Sequence, residues 1–276
     1  MPSLEALVRA GHDVSLVVTQ PDRPGHRLRL TPPPVKRAAA ELGLEVVQPE
    51  RIRDLELRGE RPEVLVVAAY GQIVPRRVLD WPSRAPVNVH GSLLPRWRGA
   101  APVAHAILAG DAETGVTIMR MDEQLDHGPV LAQRATPIGA HEDTASLTVR
   151  LAQRGADLLV ETLARLEAIE PQPQDVSLVT FAPKLQRSDG ELDWTVGAVE
   201  LDRRVRALHP WPGVTLPFRG RRVKVLEGRP GSRSGAPGVE LGAVADGVEV
   251  GCAEGSYVLV RVQAPGSRPV PARVLL

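Results

Sequence analysis

Glu63-Val-Leu-Val-Val-Ala-Ala69 is the stretch that most limits what this chain can fold into. Its apolar residues follow one another with neither the spacing of a surface helix nor the alternation of a half-wet strand. A valine-rich run of this kind suits a strand in a sheet covered on both faces. Other short β-branched runs lie around it, at 14–19, 44–47, 87–89, 116–121 and 130–136. Helical patterns fall between them, at 3–9, 35–42 and 101–108. A longer amphipathic helix is capped by Asp143 or Thr144 and runs through Leu147, Leu151, Leu158, Leu159, Leu163 and Leu166. Strands alternating with helices predict an α/β domain with a mainly parallel sheet.

The pattern changes after residue 170. Pro171, Pro173 and Pro183, with Gln and Asp between them, read as a linker. A short helix over 196–208 stops at His209-Pro210-Trp211-Pro212-Gly213. Short Val-rich segments follow at 213–218, 222–226, 239–245, 248–252 and 257–262, separated by Gly-rich turns, and predict a small β-barrel. The Gly/Ser/Pro-rich stretch 228–238 is expected to be a mobile loop. At 276 residues the chain has room for two domains. We expect a first domain over 1–171, a linker over 172–189 and a second domain over 190–276.

Composition removes several classes. A single cysteine, Cys252, excludes an intramolecular disulfide framework and a Cys-rich zinc site, and fits a reducing cytoplasm. No apolar run approaches the roughly 18–20 residues of a spanning helix, and the sequence carries no secretory leader pattern. Gly-x-Gly-x-x-Gly, a P-loop and His-Glu-x-x-His are absent, so no nucleotide cofactor or metal is expected. The net charge of +1 is silent about nucleic acid, which would need clustered rather than numerous cations.

Chemistry concentrates in Pro86-Val-Asn-Val-His-Gly-Ser-Leu-Leu-Pro-Arg-Trp-Arg-Gly-Ala-Ala-Pro102. Asn88 and His90 are two apart at the end of a strand, so they share a face. In open α/β sheets ligands bind at such carboxyl ends. An amide and an imidazole there can hold an oxygen and move a proton, but read alone the pair is a satisfied imidazole at a strand end followed by a Pro-rich surface turn.

The run Asn88-Val-His-Gly-Ser-Leu-Leu-Pro95 resembles the signature of the 10-formyltetrahydrofolate-dependent formyltransferases. Its continuation, Arg96-Trp-Arg-Gly-Ala-Ala-Pro102, is similar to the branch that acts on initiator tRNA. Met121-Asp-Glu-Gln-Leu-Asp-His-Gly-Pro129 resembles the family's Leu-Asp-x-Gly loop and aligns Asp126 with its third catalytic position. The resemblance implies a Rossmann-like catalytic domain followed by an OB-like barrel. It implies formyl transfer from 10-formyltetrahydrofolate, as cosubstrate, to methionyl initiator tRNA.

Under that resemblance Asn88 donates to the developing oxyanion, His90 is proton acceptor or oxyanion partner, and Asp126 orients His90. Tyr70, Gly71 and Ile73, with Ser92, Leu93, Leu94 and Pro95, are expected to wall the folate site; read alone, Tyr70-Gly71-Gln72-Ile73 is a strand-to-helix turn. The tRNA is expected on Arg23, Arg27 and Arg29 of the basic loop 22–30, on Arg96 and Arg98, and on Arg203, Arg206, Arg222 and Lys224. Without the resemblance these are solvated surface, and Arg96 and Arg98 could brace their loop. The family also has a strand ahead of the segment matching Met1-Pro-Ser-Leu-Glu-Ala-Leu7, so the natural protein is expected to start upstream. The chain is expected to be monomeric and cytoplasmic, with no membrane partner. Two rivals share some of these features: a formyltransferase acting on a small amine, and a non-catalytic tRNA- or folate-binding protein.

Overall fold

The computed structural model describes residues 1–24 and 30–275. It divides into two compact units. The first holds Met1–Pro102, Thr114–Thr136 and Val149–Ala182; the second holds Val103–Glu113, Pro137–Thr148 and Pro183–Leu276.

The elements follow in chain order. Helix α1 (Pro2–Arg9) buries Leu4, Ala6 and Leu7 along one face. Strand β1 (Val17–Val18) precedes the antiparallel pair β2 (Arg23–Pro24) and β3 (Leu30–Thr31), then α2 (Pro34–Glu41) and β4 (Val46–Val47), which runs parallel to β1. Next come β5 (Val64–Ala68), α3 (Arg76–Leu79), β6 (Ala85–His90) and β7 (Arg98–Gly99). They are followed by α4 (Pro102–Ala109), β8 (Glu113–Arg120), β9 (Val130–Pro137), α5 (Thr144–Leu163) and β10 (Phe181–Ala182).

The main sheet of the first unit has the order β5-β6-β8-β9. β5 runs parallel to β6, and β8 antiparallel to it. With the parallel pairs β1-β4 and β7-β10, the first unit is α/β with mixed, mostly parallel pairing. β6 lies between two neighbours, and Ala85 and Val87 pack with Leu7, Ile118, Leu131, Leu158 and Leu159.

The run at 63–69 forms β5 and is covered on both faces, Val64 and Val66 packing against one core cluster and Leu65 and Val67 against another, yet its residues stay half-buried or, at Ala68, exposed. The reason is topological: among the described strands β5 bonds to β6 alone, while β1 and β4 form a separate pair.

In the second unit α6 (Ala198–Ala207) precedes β11 (Val214–Phe218), β12 (Arg221–Pro230), β13 (Glu240–Ala243), β14 (Val248–Gly251), β15 (Ser256–Gln263) and β16 (Val270–Pro271). The antiparallel order is β11-β12-β15-β14-β13, with β16 beside β15. The sheet does not close, which corrects the expected barrel. Across its two edge strands a side-chain pair stands in for a ladder: Arg219 at the β11–β12 turn donates to both carboxylate oxygens of Glu240 in β13, at 3.0 and 2.7 Å.

The stretch 228–238 is fastened rather than loose. Its first residues extend β12, and Ser232 N and Arg233 N both donate to Glu249 Oε1 at 2.9 Å. Glu249 is buried, and a hydrogen bond from the Ser256 hydroxyl, which outweighs the opposing effect of burial, holds its carboxyl below the usual range. No described helix is long and apolar enough to cross a membrane.

Candidate active site

β6 brings Asn88 and His90 to one face, as their spacing predicts, and buries both. Asn88 pairs with Val67 of β5 and Met119 of β8, so two neighbours fix its backbone. The loop between β8 and β9 then returns Asp126 to the pair. Asn88 Nδ2 donates to Asp126 Oδ1 at 3.4 Å, and His90 Nδ1 lies 3.6 Å from Asp126 Oδ2. Asp126 Oδ2 also accepts from the Gly99 amide at 2.8 Å.

The other nitrogen of His90 defines its chemistry. Nε2 lies 2.9 Å from the carbonyl oxygen of Trp97. A carbonyl only accepts, so Nε2 carries the proton. In the neutral ring Nδ1 then holds the lone pair and faces the carboxylate of Asp126. Two acceptors at that separation leave a place for an incoming proton, and the carboxylate would stabilise the imidazolium formed. Asn88 gives one N–H to Asp126 and keeps a second for another acceptor. The group can therefore take a proton and hold a nearby oxygen that gains charge.

Local sequence accounts for the loop. Asp126 has φ of 47°, a conformation aspartate tolerates better than most side chains. Trp97, whose carbonyl fixes His90, has φ of 64°. Two left-handed residues that are not glycine, Asp126 itself and the Trp97 whose carbonyl meets His90, mark strain gathered at one point. Gly128 follows because the chain turns back on β8: a Cβ there would sit 2.0 Å from the Arg120 carbonyl oxygen.

The neighbouring acids have other duties. Asp122 accepts from Gln124 N at 2.9 Å and lies 2.7 Å from His127 Nδ1, closing the loop on itself. Glu123 pairs with Arg76 at 3.6 Å.

Gln174 is a positioning residue that the sequence did not single out. Its Nε2 donates to the carbonyls of Asp126 and Gly128 at 2.9 and 2.7 Å. Its Oε1 accepts from Arg98 Nε and Nη2 at 3.0 and 2.7 Å. Thr180 adds a second tie: its hydroxyl accepts from Trp97 N at 2.9 Å, and its carbonyl accepts from Arg98 N at the same distance. β7 and β10 pair through these residues, and Gly99 is needed because a Cβ would meet the Ala182 carbonyl oxygen at 2.6 Å. The stretch 172–182, read from composition as linker, is thus bonded to the site.

The remaining expected residues fall into distinct settings. Ser92 and Leu94 are buried: Ser92 Oγ donates to the Arg96 carbonyl at 2.6 Å, and Leu94 N donates to Thr117 Oγ1 at 3.1 Å. Leu93 and Pro95 are half-buried beside them. Tyr70 follows β5; its hydroxyl is buried with no hydrogen-bond partner, and burial pushes its phenol up, so it stays a donor. Gly71 has open space above it, and Ile73 is 82% exposed.

Among the cations, Arg98 is buried against Gln174, and Arg96 lies over the Trp97 ring at 4.4 Å. Arg23 is exposed; Arg27 and Arg29 lie outside the described residues. In the second unit Arg206 Nε donates to Asp202 at 2.8 Å and Nη1 to the Glu142 carbonyl at 3.0 Å. Arg222 Nη2 donates to the carbonyls of Leu192 and Thr215 at 2.7 and 2.9 Å. Arg203 packs over Gly110, and Lys224 donates to the Pro210 carbonyl at 3.3 Å. Among the described residues no cluster of His, Cys, Asp and Glu could hold a metal.

Known proteins share this sequence and fold. A family model described as "Formyl transferase" matches residues 3–163, and one described as "Formyl transferase, C-terminal domain" matches 184–276. The methionyl-tRNA formyltransferase of Dechloromonas aromatica is 45% identical, across 99% of this chain and 91% of its own length. That of Thermus thermophilus is 49% identical, across 99% and 90%. A structure of HypX from Aquifex aeolicus in complex with tetrahydrofolic acid superposes with a TM-score of 0.66 at 22% identity, over 95% of this chain and 46% of that one. An N-formyltransferase from Helicobacter canadensis gives 0.69 at 15% identity, over 94% of both chains. At those identities the structural likenesses speak for the fold alone.

Proposed function

The chain belongs to the formyl transferase family, and from that premise we propose that it moves the formyl group of 10-formyltetrahydrofolate onto the α-amino group of methionyl initiator tRNA. The observation that carries this reading is the meeting of Asn88, His90 and Asp126, with the Trp97 carbonyl fixing which His90 nitrogen is basic.

The residues divide the work as follows. The amine attacks the formyl carbon, and the carbonyl oxygen gains charge. Asn88 donates its second N–H to that oxygen; losing one such donor typically costs about 10²–10³ in turnover. The nitrogen must shed a proton, which His90 Nδ1 takes. Asp126 stabilises the imidazolium, as a triad carboxylate does. The proton then passes to the departing folate nitrogen as its bond to the formyl carbon breaks. Tyr70, Gly71 and Ile73, with the loop 92–95, supply the folate wall.

The tRNA acceptor is favoured over a small amine because relatives named for methionyl-tRNA match nearly the whole chain, both units included. Arg23, Arg27, Arg29, Arg96, Arg203 and Lys224 supply phosphate contacts, while Arg98, Arg206 and Arg222 act chiefly as braces for that surface. The enzyme works as a monomer in the cytoplasm.

Transfer of labelled formyl from 10-formyltetrahydrofolate to charged initiator tRNA, with and without RNase, tests the reading. Turnover abolished by RNase and reduced about 10²–10³-fold in Asn88→Ala supports it. Formylation of a small amine instead would favour the first rival, and binding without turnover the second.

A further inference from the structure

Trp211 stands apart from the residues already given a role. Trp194 shows what this fold does with a tryptophan elsewhere: it is 5% exposed, and its indole N–H donates to the Pro217 carbonyl at 2.7 Å. Trp211 is 54% exposed. Tryptophan is the largest apolar side chain, and leaving it in water forfeits the stabilisation its burial gives.

The turn that presents Trp211 is held from several sides. Prolines precede and follow it, each with a ring-locked φ. Gly213 N donates to the Leu208 carbonyl at 2.8 Å, tying the turn to the end of α6. The Gly213 carbonyl is packed so closely on Gly190 that a Cβ there would lie 1.9 Å away. The indole is thus displayed on a fixed turn.

Cations frame it. The Lys224 side chain lies across Gly213, and its Nζ donates to the Pro210 carbonyl at 3.3 Å. That leaves two of the three ammonium N–H groups for another acceptor. Arg222 is two residues earlier on β12, on the same outward face, while Val223 and Val225 point into the core. An exposed indole with an ammonium across its turn is the pairing that binds single-stranded nucleic acid, one group for a base face and the other for a phosphate.

We infer that Trp211 stacks on an unpaired base of the tRNA substrate while Lys224 contacts a flanking phosphate, making the 209–213 turn a specificity element. The inference rests on tRNA being the acceptor.

The test is formylation kinetics with charged initiator tRNA as the variable substrate, together with tryptophan fluorescence. Trp211→Ala raises KM for tRNA about ten-fold, within the range set by loss of one base stack, with kcat at saturation held. Trp211→Phe keeps most of the affinity. Lys224→Gln lowers the salt slope of tRNA binding by about one unit. The emission lost in Trp211→Phe is quenched by tRNA and not by a blunt RNA duplex carrying the same number of phosphates. A Trp211→Ala enzyme with wild-type KM, or equal quenching by the duplex, overturns the inference. The two readings fail separately: absence of wild-type turnover with tRNA would sink the proposed function, while the quenching measurement reads stacking regardless of turnover.

Discussion

His90 uses its two nitrogens differently, and its carbonyl partner decides which is which. With Nε2 committed to Trp97 at 2.9 Å, any change that lets the Trp97 carbonyl rotate also frees the basic nitrogen to swing away from Asp126. Gln174 guards against that at one remove, because it holds the Asp126 loop and Arg98 together. Replacing it by leucine would leave a buried guanidinium without its acceptor and two carbonyls without a donor. Gln174→Leu should therefore cost about 1–3 kcal/mol of stability and lower kcat more than it raises KM. Thermal unfolding with steady-state kinetics checks both, and a destabilised enzyme with wild-type kcat would refute the positioning role. That Asn88 and His90 share a face was legible in the sequence because a two-residue spacing survives in any strand, while their roles came only through the family pattern. Asp126 was legible only through a family pattern, since Asp122 and Glu123 carry the same chemistry in the same loop. Gln174 and the Trp97 carbonyl were not legible, because the direction of a carbonyl and a partner 48 residues away leave no local mark.

Among elements, α5 shows how a cap chooses its residue. Asp143 and Thr144 both suit the position. Asp143 takes it: its Oδ1 accepts from Ser146 N at 2.8 Å, while the Thr144 hydroxyl donates to the Ala207 carbonyl at 2.6 Å. Burial pushes the Asp143 carboxyl up, but the Ser146 hydroxyl and amide, with nearby His209, bring it below the usual range. A carboxyl lowered in the folded state adds stability above its unfolded pKa and loses it as pH falls through the lower folded value. Asp143→Ala should cost about 1 kcal/mol near neutrality. Its gap from wild type should narrow below about pH 4, and unfolding curves at pH 7 and pH 3 would reveal a gap that stays constant if the cap is not ionic. Periodicity placed most helices and strands but could not show how strands meet. Whether the second sheet closes depends on its two edge strands reaching each other, and Arg219 with Glu240 fills that place. The fastening of 228–238 was equally hidden, since it depends on the distant Glu249.

For the whole molecule the notable balance is between a nearly neutral net charge and the separate apolar clusters that its two units enclose. With net charge +1, acid–base stability is governed less by overall repulsion than by groups the cores enclose. The second unit encloses Cys252, 1% exposed, and Tyr257, fully buried. Burial pushes the Cys252 thiol up to about 11 and raises the Tyr257 phenol as well. An unfolded thiol ionises near 8.5. Below that pH both states keep the proton, and the neutral thiol's advantage is fully present. Between there and about 11 the unfolded chain releases a proton that the folded chain retains, so stability falls as pH rises. The unfolding temperature should therefore drop from pH 8.5 to pH 11, and less steeply in Cys252→Ala. The native thiol should also resist an aromatic disulfide reagent at pH 8 and react promptly in denaturant. Equal slopes in the two proteins, or fast labelling of the folded chain, would mean that Cys252 is reached by water and that the second core opens far more readily than its packing implies.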